Sequence, residues 1–151
     1  MRLRDLLQPC AHVLYDTIEV PLPCESGFEF ELFRDLMGKT REQTNFDSPM
    51  RLSPGERFKL ESVLVKTNAE GLWNAAKLVL KVDARDVLNC PLAHLRSEYA
   101  GHTTFEDNTD IRGCVVITEP VPGTGAAIIR VEMHGLLATP VPKDWKPEEP
   151  K

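Results

Sequence analysis

Residues 28–65 read FEFELFRDLMGKTREQTNFDSPMRLSPGERFKLESVLV, and this stretch decides the fold class. At its start Phe28, Phe30 and Leu32 alternate with glutamates, and residues 58–65 alternate in a similar way. Alternation with period two predicts a β-strand with one buried face. The polar connection between the two strands is about twenty residues long, whereas hairpin loops have about two to five. The sequence therefore predicts two strands joined by a surface connection of the Greek-key type.

The second strand of this stretch carries a specific face prediction. Phe58, Leu60 and Leu64 alternate with Lys59, Glu61 and Val65. Because successive side chains of a strand point to opposite faces, these three apolar residues are predicted to share the buried face.

Other apolar or alternating runs predict the remaining strands. Pro21 and Pro23 are expected to close the first strand, because proline cannot donate to a central ladder. Residues 96–112 are polar and are predicted to form a second long connection, and residues 120–125 (PVPGTG) a loop. Residues 87–95 are broken by Pro91 and are predicted to be an edge strand or a loop anchor. The predicted strands are residues 13–20, 28–33, 58–66, 75–83, 87–95, 114–119 and 126–138.

Seven or eight short strands with no long amphipathic helix predict an all-β fold. The fold class is a single antiparallel β-sandwich or jelly roll with extended N- and C-terminal arms. We assign residues 1–11 to the N-terminal arm and residues 12–138 to the sandwich. Residues 139–151 contain four prolines and several charges, which is typical of a tail rather than a core.

Composition excludes several classes of function. The chain has 151 residues and a net charge of −5, so it is expected to form one domain without the basic patch that phosphate binding requires. No apolar run approaches the length of a membrane span, and the first ten residues lack the apolar core of a signal peptide. The four cysteines form no CxxC pair. We expect reduced thiols in a protein made in a cytoplasm, with Cys114 as a small buried hydrophobic residue.

No pattern in the sequence predicts a catalytic or metal site. A metal-dependent cupin supplies two histidines two residues apart, and the four histidines of this chain contain no such pair. The acidic segment 106–110 fails the calcium-loop spacing, and Gly123-Thr-Gly125 lacks the third glycine of a dinucleotide loop. We therefore expect no cofactor, no metal and no enzyme activity.

The two tryptophans have different predicted roles. Trp73 is predicted to lie in the core, which is the usual place for this residue. Trp145 lies in the proline-rich tail, where it has no apolar surroundings of its own. It is therefore a candidate anchor to a neighbouring subunit.

Short motifs in the first half of the chain resemble those of a known family. The motifs are Lys39-Thr40, Thr44-Asn45, Leu52-x-Pro54 before Phe58, and residues 81–92, KVDARDVLNCPL. They resemble segments of the jelly-roll capsid proteins of icosahedral bacteriophages, including tail-less and membrane-containing ones. The chain departs from that pattern in having few glycines before Pro91 and in its acidic, proline-rich tail.

The resemblance implies a virion structural protein that assembles in the host cytoplasm into an icosahedral shell. It implies self-association or contact with other capsid proteins, no direct nucleic-acid contact, and at most indirect proximity to a membrane. The candidate subunit contacts are Lys39, Thr40, Thr44, Asn45 and Trp145. Thr44 and Asn45 have an alternative role, which is to shape the loop through hydrogen bonds from side chain to backbone.

Two other functions remain open at this stage. One is a carbohydrate-binding β-sandwich module of a receptor-binding or cell-surface protein. The other, which the missing histidine pair disfavours, is a cupin-like enzyme.

Overall fold

The computed structural model describes residues 10–34, 36–46, 55–96, 99–106 and 110–138. Within these residues the chain forms eight β-strands and two short 3-10 turns, Glu70–Leu72 and Leu92–Leu95. The strands are β1 (Cys10–Cys24), β2 (Glu29–Leu32), β3 (Arg57–Thr67), β4 (Ala76–Val82), β5 (Arg85–Pro91), β6 (Tyr99–Glu106), β7 (Ile111–Ile117) and β8 (Val121–Ala138).

The strands form two four-stranded antiparallel sheets. The first sheet has the order β1-β8-β3-β6 and the second has the order β2-β7-β4-β5. Among the eight strands of the described residues, the β4–β5 connection is the one that stays within a sheet, and the other connections between successive strands cross from one sheet to the other. This is the jelly-roll arrangement of an antiparallel sandwich. The predicted all-β sandwich and the crossing connection between β2 and β3 are confirmed. Of the predicted terminal arms, residues 1–9 and 139–151 lie outside the described residues.

Apolar side chains from both sheets fill the space between them as one continuous cluster. Trp73 is part of this cluster, as predicted, and Arg96 lies over its ring at 4.7 Å from the centroid. The largest fully buried side chains are Phe33, Phe58, Leu32, Leu60, Leu72, Leu78, Leu80, Leu92, Leu95, Ile111 and Ile117.

The predicted buried face of β3 is correct for its first half and wrong for its second. A bulge between Leu60 and Ser62 shifts the register against β8. Because a shift of one residue moves every later side chain to the other face, Val63 and Val65 are buried and Leu64 lies on the outer face. Gly135 permits the bulge, since a Cβ there would lie 2.0 Å from the carbonyl oxygen of Lys59.

Two predicted strand ends are also wrong. β1 continues through Pro21 and Pro23 to Cys24, because it is an edge strand and needs ladder hydrogen bonds on one side alone. The segment 120–125, predicted as a loop, belongs to β8 from Val121, which pairs with Cys24.

The second predicted long connection contains a strand. β6 lies within residues 96–112 and pairs with β3 at the edge of the first sheet. Its sequence, YAGHTTFE, lacks the apolar alternation that predicted the other strands. β5 is an edge strand, as one of the two interpretations of residues 87–95 predicted. Phe28 is 56% exposed and does not share the buried face with Leu32.

Candidate functional site

The first part of the long connection, residues 36–46, lies along the free edge of β1. The backbone N–H of Tyr15 donates to Asn45 Oδ1 at 2.9 Å, and Asn45 Nδ2 donates to the Val13 carbonyl at 2.6 Å. Thr44 Oγ1 donates to the Tyr15 carbonyl at 3.1 Å. These bonds cover an edge that would otherwise offer unpaired backbone groups to other chains. The loop-shaping role of Thr44 and Asn45 is therefore confirmed.

A buried carboxylate fixes both ends of the turn that leaves β2. Asp16 is fully buried on the inner face of β1. Its Oδ2 accepts a hydrogen bond from the backbone N–H of Phe33 at 2.6 Å, and its Oδ1 lies 2.8 Å from Lys39 Nζ. A buried charge is tolerated when it is paired and hydrogen-bonded in this way. Asp16 thus ties two points of the connection, six residues apart, to the first sheet.

Phe33 occupies an unusual backbone conformation at this point. Its φ of 64° is left-handed, which costs a non-glycine residue about 1–2 kcal/mol. The hydrogen bond to Asp16 and a stack of its ring on Phe46, with centroids 4.6 Å apart, stabilise the conformation. Gly113 leaves space for the ring, since a Cβ there would lie 2.8 Å from Phe33 Cε2.

The structure brings four of the five predicted contact residues into this one segment. Lys39, Thr44 and Asn45 are engaged with β1, and the side chain of Thr40 is exposed. Trp145 lies outside the described residues. The contact role of these residues stays a prediction.

Sequence reasoning missed Met37 at the tip of this connection. Its side chain is 92% exposed and is followed by Gly38 in a left-handed conformation, φ 80°. An unbranched apolar side chain on a tethered loop is a common feature of binding surfaces. The sequence signal that could have indicated this exposed side chain is the apolar pair Leu36-Met37 followed directly by the turn residue Gly38.

A charge cluster covers the outer face of the first sheet. Glu132 on β8 is 6% exposed although it lies on this outer face. Its carboxylate is 2.7 Å from Arg130 Nε, 3.4 Å from Lys66 Nζ and 3.0 Å from His134 Nε2. Burial acts to raise the pKa of Glu132, but the hydrogen bonds from Arg130 and His134 and the charge of Lys66 outweigh it and lower the pKa.

Arg130 joins this cluster to the long connection. Its guanidinium lies over the ring of Tyr15 at 4.0 Å from the centroid, and its Nη1 donates to the Glu42 carbonyl at 2.5 Å. The Tyr15 hydroxyl in turn donates to the Arg41 carbonyl. The polar groups on this face are therefore used to hold the connection against the sheet.

The outer face of the second sheet has a different arrangement, and we call it the segregated face. Carboxylates lie on β2, apolar or thiol side chains lie in the middle, and cations lie on β4 and at the start of β7. Register places Glu29, Val116 and Lys77 in one row across the strands and Glu31, Cys114 and Val79 in the next. The residues of the face are Glu29, Glu31, Lys77, Val79, Lys81, Arg112, Cys114 and Val116. Several of them line a shallow depression of about 250 Å³.

The ion pairs on the segregated face lie at its margins. They join Glu31 to Arg34 at 3.1 Å, Lys81 to Asp86 at 3.8 Å and Arg112 to Asp110 at 3.0 Å. Among the described residues, Glu29 and Lys77 form no ion pair.

Cys114 is partly exposed at the centre of this face, so the prediction that it is buried is wrong. Burial raises the pKa of its thiol, and the charges of Glu29 and Glu31 raise it further. Residues 111–117 alternate, with Ile111, Gly113 and other small or apolar residues inside. The charged Arg112 is expected on the solvent side of the strand. Because residues two apart share a face, its position predicts that Cys114 also lies outside.

Three further points concern the described residues: clusters of metal ligands, helices that could span a membrane, and disulfides. No group of three or more His, Cys, Asp or Glu side chains there is placed to hold a metal ion. In the same parts of the chain, no helix has the length and apolar character needed to cross a membrane. The four cysteines all lie in the described residues, and none of them forms a disulfide.

Comparison with known proteins gives one structural similarity to report. No protein-family model matches the chain, and no curated protein matches it. The capsid asymmetric unit of cyanophage Pam1 matches 88% of this chain and 87% of its own, with a TM-score of 0.45 and 9% sequence identity.

Proposed function

We propose that the chain is a capsid protein of a bacteriophage, which acts through protein–protein contacts in an icosahedral shell and not as an enzyme. Its partners are further copies of itself, other capsid proteins, or both, and its location is the virion. The motifs of residues 39–45, 52–58 and 81–92 resemble those of jelly-roll capsid proteins, and the strand order of the two sheets is compatible with that resemblance.

The observation that carries the proposal is the contrast between the inner faces of the two sheets and the outer surface of the sandwich. The inner faces are filled by apolar side chains packed against each other, whereas a cupin uses the barrel interior for its metal and substrate. The chemically varied residues lie outside, on the long connection and on the segregated face. Such an arrangement supports a function carried out by surfaces, in which the sandwich is a rigid support.

The exposed residues of the connection are the proposed contacts at the side of the sandwich. Lys39, Thr44 and Asn45 hold the segment on β1. Met37 and Thr40, whose side chains are exposed, are thereby presented in a fixed position. A contact loop that is already ordered loses less conformational entropy when it binds.

The experiment is to purify the full chain and to follow its size by light scattering and negative-stain electron microscopy. Defined oligomers or shells are expected, either alone or with a co-expressed capsid partner. A strictly monomeric protein that binds sugars on a glycan array would contradict the proposal and favour the carbohydrate-binding module. Bound transition metal in the purified protein would favour the cupin-like enzyme.

Deletion of residues 139–151 tests the predicted anchor role of Trp145. Assembly should be impaired while the thermal unfolding of the sandwich is unchanged, and Trp145→Ala should reproduce most of the effect. Unchanged assembly of the deletion variant would contradict the anchor role.

A further inference from the structure

We propose that the segregated face binds a second copy of this chain, with the two copies related by a two-fold axis that runs along β7. The inference rests on the proposed function and deepens it, because it names the partner and the surface of one assembly contact.

The first observation is the separation of charge across the sheet. Glu29 on β2 and Lys77 on β4 lie in one row with Val116 between them. Neighbouring strands are about 4.8 Å apart, so the two backbones are separated by about 10 Å. Among the described residues, the Glu29 carboxylate and the Lys77 ammonium form no ion pair, although both lie on the same face.

A two-fold axis along β7 converts this separation into complementarity. The operation exchanges the positions of β2 and β4, so that Glu29 of each copy lies opposite Lys77 of the other. Closed symmetric dimers use such a self-complementary patch, in which each contact occurs twice. An axis perpendicular to the strands would instead place Glu29 near Glu29 and Lys77 near Lys77. The charge pattern therefore selects the axis along β7.

The centre of the face has the character of an interface core. Cys114 and Val116 on β7 are partly exposed and lie between the two charged margins, and Val79 is partly exposed between Lys77 and Lys81 on β4. Interfaces combine an apolar centre with a polar rim in this way. Arg112 also lies on β7, but it is exposed and paired with Asp110 at the end of the strand, so two copies of it can remain in solvent.

The position of Cys114 makes the arrangement testable. On β7, close to the axis, the Cys114 thiols of the two copies would face each other. Packed sheets lie about 10 Å apart, which is too far for a disulfide between directly opposed backbones but suits a short bismaleimide. Cys24 and Cys90 are buried, and Cys10 is exposed, so Cys10→Ser is the appropriate background.

The experiment treats the full-length Cys10→Ser protein with a short bismaleimide and measures covalent dimer on denaturing gels. Dimer is expected, and it should disappear in Cys10→Ser/Cys114→Ser. Labelling with N-ethylmaleimide and mass spectrometry verifies that Cys114 reacts. Reactive Cys114 without dimer, in a protein that forms oligomers, would overturn this inference and leave the proposed function standing. A protein that stays monomeric with every partner would overturn both.

Charge-reversal substitutions provide a second test of the same dimer. In the Cys10→Ser background, Lys77→Glu should lower the yield of dimer about tenfold, which corresponds to about 1.4 kcal/mol. Glu29→Lys/Lys77→Glu should restore it, because both ends of each contact are reversed. Lys59→Glu is the matched control, since it makes the same charge change on the other sheet and should leave the yield unchanged. Equal loss in all three variants would overturn the proposed axis.

Discussion

The outer faces of the two sheets carry similar residue types in opposite arrangements. On the first sheet Glu132 lies within 3.4 Å of Arg130, Lys66 and His134, so its charge is neutralised within the chain. On the second sheet Glu29 and Lys77 are kept apart by β7. Opposite charges directly across adjacent strands are close enough to pair, whereas Glu29 and Lys77 lie two strands apart and form no ion pair among the described residues.

The difference indicates what each face contributes. The first face, together with the connection that it holds, stabilises the folded chain. The segregated face contributes little to folding, because its ion pairs are solvent-exposed and such pairs are worth about 0–1 kcal/mol. Substitutions on the first sheet should therefore change stability, and substitutions on the second should change association.

The largest effect is expected at Asp16, which ties the connection to the first sheet. Asp16→Ala leaves the Lys39 ammonium and the Phe33 N–H without their partner and should lower the free energy of unfolding by about 3–5 kcal/mol. Urea denaturation measures the loss. Asp86→Ala is the control on the second sheet: its ion pair with Lys81 is half exposed, and the expected change is about 0.5 kcal/mol. Similar losses of unfolding free energy in the two variants would contradict the expected difference between the two sheets.

The next effect is expected at the bulge of the first sheet. Gly135→Ala would place a Cβ 2.0 Å from the Lys59 carbonyl, so β3 and β8 must separate at a cost of about 2–3 kcal/mol. Thermal unfolding measures the change. Gly71→Ala is the control, because its Cβ would make an ordinary contact of 3.7 Å with Val121. A Gly135→Ala protein as stable as the control would show that the bulge is easily displaced.

A smaller effect that depends on pH is expected at Glu132. Glu132→Gln should cost about 1–2 kcal/mol at pH 7, since its charge-assisted contacts with Arg130 and Lys66 are lost. The pKa of Glu132 is lowered in the folded chain, so the stabilisation is present above the pKa of an unfolded glutamate, about 4.3. It is lost as the pH falls through the lower folded value. Urea denaturation at pH 7 and near pH 3 should show a difference between wild type and variant that shrinks with acidity. A constant difference would mean that packing, not charge, accounts for it.

The smallest effect on stability is expected at the segregated face. Lys77→Glu should change the free energy of unfolding by no more than about 0.5 kcal/mol, measured on the monomeric fraction at low concentration. A loss comparable with that of Glu132→Gln would show that the two faces serve the fold equally, and the comparison would fail.

Much of the fold could be predicted from local pattern. Strict alternation in residues 28–32 and 75–83 predicted β2 and β4. The long polar connection predicted that β2 and β3 are joined by a crossing connection and not by a hairpin turn. Part of the candidate site was also accessible, because Thr44 and Asn45 are residue types that bond to backbone groups. Their partner, the edge of β1, lies 29 to 32 residues earlier in the chain, and no local pattern identifies it.

The sequence by itself determined the all-β class, because a period of two in apolar residues is compatible with a strand that has one buried face and not with a helix. Only the tertiary structure decided which strands lie at edges, where β1 can carry prolines and β6 can lack alternation. It also decided where the bulge opposite Gly135 turns Leu64 outward, and that Asp16 meets Lys39. These outcomes depend on which backbone lies alongside which, and that is set by packing between segments far apart in the chain.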